Sequence, residues 1–272
     1  MLSVMTNNAS NIAQNSVNRN NDLLSNAMER LSTGLRINSA ADDAAGLQIA
    51  SRMEANVTGM ETANRNVSDA TSMLQTADGA LDELATIANR QKELATQAAN
   101  GVNSTADRAA LNDEFTALTA EMTRIMEKTT YAGNDLFGAI SGNVSFQIGA
   151  GSGETLTVSG ASGITGIRSG IATLSGVKAS TLGAQIGEID DFIDAVGSMR
   201  SDLGANINRL GHTASNLTNV TENTKAAAGR IMDADFASET AAMSKNQLLV
   251  QAGTNILSSS NQNTGLVMGL LG

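Results

Sequence analysis

Hydrophobic residues recur at heptad spacing over a long stretch: Ile49, Met53, Met60, Ala63, Val67, Ala70, Leu74, Ala77, Leu81, Leu84 and Ala88, with Asn56 the single polar intruder. Such a repeat predicts a long helix that supercoils left-handedly with partners. Helical from Ala44 to Ala99, it would span on the order of 80 Å. Asn100-Gly101 ends the pattern, and Ser104 or Thr105 with Asp107 or Arg108 opens a second seam of Leu111, Phe115, Leu118, Met122, Ile125 and Thr129. So short a connection predicts an antiparallel helix packed back on the first. A third register runs through Ile186, Ile189, Ile193, Val196, Leu203, Ile207, Leu210, Ala214 and Leu217. Arg200 interrupts it. The expectation is that its methylenes lie on the seam and its charge goes to solvent.

The two ends differ from this middle. Residues 1–18 and 246–272 contain no charged residue, only apolar positions among Asn, Gln, Ser and Thr. Leu2, Met5, Ala9 and Ile12 follow helical spacing, Leu24, Met28 and Leu31 resume it, and Phe236, Met243, Val250 and Leu257 recur every seven residues. A helix without a charged face predicts burial against partners on more than one side. Between the N-terminal pattern and the long heptad lies a break. Gly34 can take the left-handed conformation that ends a helix. Ser39 and Asp42 have the spacing of an N-cap, and Asp42 and Asp43 suit the positive end of the next helix dipole.

Residues 133–187 hold 13 of the 26 glycines, so neither helical period survives there. Val144-Ser145-Phe146-Gln147-Ile148 and Leu156-Thr157-Val158 alternate around a glycine-rich turn and predict a β-hairpin. Residues 159–181, rich in Ser, Gly and Thr, predict a loop with weak strands. The fold class is therefore mainly α: an elongated antiparallel coiled-coil rod of long helices with a small β-hairpin tip. The chain runs outward, turns at the tip and returns. Three regions follow: residues 1–40 with 234–272 as terminal helices, 41–137 with 183–233 as the rod, and 138–182 as the tip.

Composition narrows the function classes. Cysteine is absent, which excludes disulfides and thiolate metal sites, and proline is absent, so nothing forces a break in a long helix. Aromatics are 2% of residues, which suits thin helical seams rather than a thick core. A formal charge of −10 disfavours nucleic-acid binding and anionic membranes. No stretch reads as a cleavable signal peptide or a spanning helix, so the expectation is a soluble chain, exported, if at all, without a cleaved signal.

Catalytic chemistry has little to stand on. His212 is the sole histidine and has no Cys partner, so a structural role is expected. Asp42-Asp43 and Asp190-Asp191 point to different azimuths on a helix and read as caps or solvated faces. Gly149-Ala150-Gly151-Ser152-Gly153 lacks the Lys-Ser/Thr ending of a phosphate loop. No His-Glu-x-x-His occurs. No catalytic, cofactor or metal residue is expected, and the chain is not expected to be an enzyme.

Two long motifs carry a family resemblance. Glu29-Arg30-Leu31-Ser32-Thr33-Gly34-Leu35-Arg36-Ile37-Asn38-Ser39-Ala40-Ala41-Asp42-Asp43-Ala44-Ala45-Gly46 resembles the N-terminal signature of bacterial flagellins. Arg230-Ile231-Met232-Asp233-Ala234-Asp235-Phe236-Ala237-Ser238-Glu239, with Met243-Ser244-Lys245 and Gln251-Ala252-Gly253-Thr254, resembles the C-terminal signature. The resemblance covers about residues 1–137 and 183–272. It implies a structural subunit of the flagellar filament, extracellular, homo-oligomeric as a helical polymer, with the terminal helices forming the inner tube. It implies as partners the filament cap and hook-junction proteins, an export chaperone at the C-terminal helix, and the vertebrate flagellin receptor.

Asn89-Arg90-Gln91-Lys92-Glu93-Leu94-Ala95-Thr96-Gln97 is similar to the family segment that packs between subunits and meets that receptor. By resemblance, Arg90, Glu93 and Leu94 carry over, with Glu114 on the next helix, while Gln91, Lys92 and Thr96 depart from commoner choices. Short outer regions in the family often carry sugars, which makes Ser145, Thr155, Ser159, Ser162, Thr165, Ser169 and Thr173 the candidate O-glycan acceptors. A hook–filament junction protein is the alternative within the same resemblance, and a host-receptor ligand or adhesin role could accompany either.

Overall fold

A computed structural model describes the backbone of residues 7–271 and the side chains of residues 7–262. The helical expectations for Leu2 and Met5 lie outside the described residues. The chain divides into two compact units. One gathers the two ends, up to residue 55 and from residue 223 onward; the other is residues 56–222.

In the first unit, helix α1 (Asn8–Thr33) is capped by the Asn7 side chain, which accepts from the Ser10 amide at 3.1 Å. It ends at Gly34 as expected, with φ 75° and the Gly34 amide donating to the Arg30 carbonyl at 2.8 Å. The next cap is not where the Ser39 spacing places it. Asp42 Oδ2 accepts from the Ser39 amide at 2.9 Å and the Ser39 hydroxyl at 3.0 Å, closing a turn ahead of helix α2 (Ala44–Ala99). These bonds, with the hydroxyl's foremost, hold the Asp42 carboxyl below its ordinary range. Asp43 is the residue that caps α2, accepting from the Gly46 amide at 2.8 Å. Ser39 sits a full turn too early to reach those amides.

Helix α7 (Phe236–Leu271) runs antiparallel to α1. Arg30 pairs with Glu239 at 3.1 Å near one end, and the Ser10 hydroxyl donates to Asn261 Oδ1 at 3.0 Å near the other. Between them the helices close on small residues: Ala13 and Ala27 are buried, and a Cβ on Gly253 would lie 2.5 Å from Val17 Cγ2. Two backbone bonds tie the bases together, Arg36 N–H to the Met232 carbonyl at 2.6 Å and Ala234 N–H to the Gly34 carbonyl at 2.9 Å. In the same unit the heptad's first position departs from expectation. Ile49 is exposed and Ala50 is buried in its place. A helix of 3.6 residues per turn drifts against a strict seven-residue repeat, and the Asn56 interruption leaves the drift uncorrected.

The second unit is built on α2 from Val57, helix α3 (Thr105–Lys128) and helix α6 (Ile186–Met232) up to Leu217. Met60, Ala63, Val67, Ala70, Leu74, Ala77, Leu81, Leu84 and Ala88 are all buried, and the register continues through Gln91, Ala95 and Ala98. Gln91 is a wholly buried polar residue in that seam. Its Nε2 donates to Thr119 Oγ1 at 2.7 Å and to the Phe115 carbonyl at 3.3 Å, which fixes the offset of α2 on α3. Arg200 keeps its charge at the solvent edge but does not leave it unpaired. Its guanidinium bridges Asp78 at 2.9 Å and Asp82 at 2.7 Å. Those carboxylates are four residues apart, hence on one face of α2, and the Asp78 bond foremost raises the arginine further above its ordinary value.

Strands β1 (Thr130–Tyr131) and β2 (Asn134–Asp135) join through Ala132 and Gly133, both at positive φ as a tight two-residue hairpin requires. Helix α4 (Leu136–Ser141) follows. The predicted hairpin is present as β3 (Val144–Gln147) and β4 (Thr155–Val158), in register from Val144 opposite Val158 to Gln147 opposite Thr155. The expected loop over 159–181 is instead largely helix α5 (Ala161–Ser175). Ile164, Ile167, Ile171 and Leu174 are buried at helical spacing, and Gly163 and Gly170 let the helix close on Met199 and Phe192 of α6. Tertiary packing overrides the low helix propensity of its glycines.

A single 3-10 turn, Leu182–Ala184, leads into α6. A Cβ on Gly183 would fall 2.7 Å from Ala99 Cα, a backbone atom that cannot rotate away. Gly183→Ala is therefore expected to destabilise this unit by about 1–3 kcal/mol through overpacking. Thermal denaturation followed by circular dichroism reads the effect, and an unchanged midpoint would mean the turn can back off α2. Among the described residues no helix is long and apolar enough to cross a membrane.

Candidate interaction surfaces

The first surface belongs to the α1–α7 pair. Its contact side buries small residues outright and half-buries a few larger ones such as Val17 and Leu24, and several large apolar side chains are left outside: Ile12, Leu23 and Met28 on α1, and Leu248, Leu249 and Ile256 on α7. Ile12 is 63% exposed, Leu248 65% and Ile256 60%. Residues 8–18 and 246–262 carry no charge that would solvate these helices. Large apolar side chains left exposed on stretches without charge mark a candidate site of association.

The second surface lies at the α2–α3 hairpin. Arg90 donates to Glu114 Oε1 through Nε at 3.0 Å and Nη2 at 2.9 Å, and to Glu93 Oε2 through Nη1 at 2.8 Å. All three side chains are about half exposed or more, so the cluster contributes little to stability and leaves polar atoms available outward. The Glu93 bond foremost, then Glu114, raises the Arg90 guanidinium above its ordinary value. Leu94 does not join them. It is 1% exposed, because it lies on the side of α2 that faces the seam. Gln91 is likewise interior, whereas Thr96 is exposed and Lys92 pairs with Asp190 of α6 at 2.5 Å. Sequence spacing alone could have separated these, since Gln91 continues the seam three residues after Ala88.

Helix α3 opens with a capping box: Ser104 Oγ accepts from the Asp107 amide at 3.2 Å, and Asp107 Oδ2 accepts from the Ser104 amide at 2.9 Å. The Ser104 hydroxyl also donates to Asp107, and that bond foremost lowers the carboxyl. Glu121 is lowered by Arg124. A depressed carboxylate stabilises the folded state above its unfolded value, here 3.8 for Asp107, and that contribution disappears as pH falls through the lower folded value. Acid titration of the thermal midpoint is thus expected to fall in that window, with a shallower slope in Asp107→Asn. An identical slope in the variant would remove Asp107 from the account.

The third surface is hydroxylic. Ser145, Thr155, Ser159, Ser162, Thr165, Ser169 and Thr173 are all exposed. Four of them, Ser162, Thr165, Ser169 and Thr173, share the face of α5 opposite its buried isoleucines. A cleft of about 580 Å³ between α3 and α5 is lined by Thr123, Glu127, Asp135 and Arg168, among others. Among the described residues no group of three His, Cys, Asp or Glu side chains could hold a metal ion. His212 is exposed on α6.

Family models match both parts of the chain: the bacterial flagellin N-terminal helical region over residues 4–141 and the bacterial flagellin C-terminal helical region over residues 186–271. The chain is 42% identical over 246 residues to a flagellin of Halalkalibacterium halodurans, covering 90% of each. It is 32% identical over 380 aligned residues to flagellin A of Vibrio anguillarum, covering 99% of each. Among solved structures it resembles a putative flagellar hook-associated protein from Vibrio parahaemolyticus, with 15% identity and a TM-score of 0.57 over 71% of this chain and 100% of that one. That last likeness is one of fold.

Proposed function

The chain belongs to the bacterial flagellin family and is a structural subunit of the flagellar filament, and we propose that its α1–α7 pair drives polymerisation by burying its outward apolar side chains against other copies. The observation that carries this is the exposure of Ile12, Leu23, Leu248 and Ile256 on a helix pair whose stretches 8–18 and 246–262 carry no charge. Each helix pair offers different faces to successive neighbours, and heterologous contacts that do not close into a ring generate a helical polymer. Residues 1–40 and 234–272 line the inner tube in this reading, and 138–182 face outward.

The exposed Arg90, Glu93 and Glu114 cluster is the surface that a neighbouring subunit or the vertebrate flagellin receptor reads. Leu94 acts only by holding α2 in place. Cap and hook-junction proteins meet the same terminal helices, and an export chaperone covers α7 before assembly. The hydroxyls of 145–173 accept O-linked sugars, which intact-mass spectrometry of native filaments tests directly: a mass equal to the bare 27.9 kDa chain removes the idea. The junction-protein alternative is not favoured, since the relative matching 90% of both chains is a flagellin.

Truncation tests the assembly reading. Chains lacking residues 1–30 or 246–272 are expected to keep the helical signal and melting transition of the 56–222 unit yet to form no filaments in electron microscopy. Filaments from both truncated chains would sink the proposal.

A further inference from the structure

The turn between α2 and α3 holds the sole Asn-Gly pair of the chain, Asn100-Gly101. Both residues are exposed. The Asn100 side-chain carbonyl accepts from the Val102 amide at 3.3 Å, an Asx turn that folds the side chain back over its own main chain. The residue spanned by that turn is Gly101. Among the described residues its amide finds no acceptor, and the space beside its Cα is empty. An unengaged nucleophilic nitrogen thus lies next to a side-chain carbonyl carbon already held in place.

Two other turn asparagines are arranged against this. Asn38 and Asn103 each precede a serine, and in both cases that serine amide is occupied, Ser39 by Asp42 Oδ2 at 2.9 Å and Ser104 by Asp107 Oδ2 at 2.9 Å. Their own side-chain amides are also engaged, donating to the Leu35 and Gln97 carbonyls.

We propose that Asn100 is a self-modifying position, converted in the folded chain through a succinimide to isoaspartate and aspartate. The Gly101 nitrogen gives up its proton to base and attacks Asn100 Cγ. The new N–Cγ bond forms, the Cγ–Nδ2 bond breaks, and ammonia leaves with the returned proton. No electrons change hands. The Val102 amide already bonded to Oδ1 stabilises the oxyanion that develops there. Water then opens the ring at either carbonyl. Either product adds a negative charge at the C-terminal end of α2, where unpaired carbonyls already make the potential negative. It does so beside Lys92 and Glu93, which line the same surface cleft as Asn100. Isoaspartate also lengthens the main chain of the turn by one methylene. The chemistry is independent of polymerisation, so it stands or falls apart from the assembly reading.

The test uses the purified full-length chain, incubated at neutral and mildly alkaline pH. Tryptic digestion gives a peptide of residues 93–108 that contains both Asn100 and Asn103, so mass spectrometry compares them within one fragment. Isoaspartyl methyltransferase serves as the probe for the rearranged product. Asn100 is expected to react ahead of Asn103 and Asn38, faster as pH rises, and at least as fast in the folded chain as in urea. Gly101→Ala meets no atom within 4 Å and keeps the fold, yet its Cβ hinders the attack and slows the reaction on the order of tenfold. Equal rates at Asn100 and Asn103, an unchanged rate in Gly101→Ala, or a folded chain slower than the unfolded one would each overturn the proposal.

Discussion

Leu84→Asp is expected to unfold the 56–222 unit. Leu84 is 0% exposed and sits in the middle of the α2 seam, between Leu81 and Ala88. Removing a buried leucine side chain alone costs about 2–5 kcal/mol. A carboxylate in its place must also be desolvated without a partner, or take up a proton, which adds several kcal/mol. The sum is on the order of the whole stability of a small domain, about 5–15 kcal/mol. Leu203→Asp on α6, 1% exposed, is expected to act alike. Circular dichroism on heating reads both. A melting midpoint within a few degrees of the parent would mean that the seam register is wrong.

Leu248→Lys combined with Ile256→Lys is expected to abolish polymerisation while leaving the isolated chain as stable as before. Both residues lie on the outside of α7, so in the monomer the change is a surface substitution, within about 0.5 kcal/mol. In a polymer each lysine would have to be buried against a neighbour. The lost apolar burial is about 2 kcal/mol per residue, and an unpaired ammonium adds several more. On the order of 4 kcal/mol per contact raises the concentration needed for assembly about a thousandfold. Sedimentation and electron microscopy measure this, with Ser162→Lys on the exposed face of α5 as the control that still polymerises. Filaments of the double variant at the parent's concentration would move the interface elsewhere on the chain.

How much was legible in the sequence differed by element. The seams of α2, α3 and α6 announced themselves because apolar residues repeat at fixed spacing and each buried position had a chemical signature. The β3–β4 hairpin was visible for the same reason, with a period of two. Helix α5 was not. Its four buried residues have helical spacing, but the glycines between them erase the propensity signal, and only the fit of Gly163 and Gly170 against Met199 and Phe192 makes the helix worth forming.

Charged and polar residues were read less well, since a side chain's role depends on what stands opposite. Nothing local says that Arg200 meets Asp78 and Asp82, or that Gln91 finds Thr119, because those partners are 122, 118 and 28 residues away. The flagellin signatures placed Arg90, Glu93 and Glu114 on one surface and included Leu94 with them. The tertiary packing keeps the first three and turns Leu94 inward. By itself the sequence determined the helical class, the positions of the seams, the charge-poor ends and the absence of cysteine chemistry, all of which follow from period and composition. Only the tertiary structure decided which residues cap α2, which hydroxyls share a face of α5, and which apolar side chains remain outside once α1 and α7 have paired. Those depend on distances between residues far apart in the chain, which no period or composition encodes.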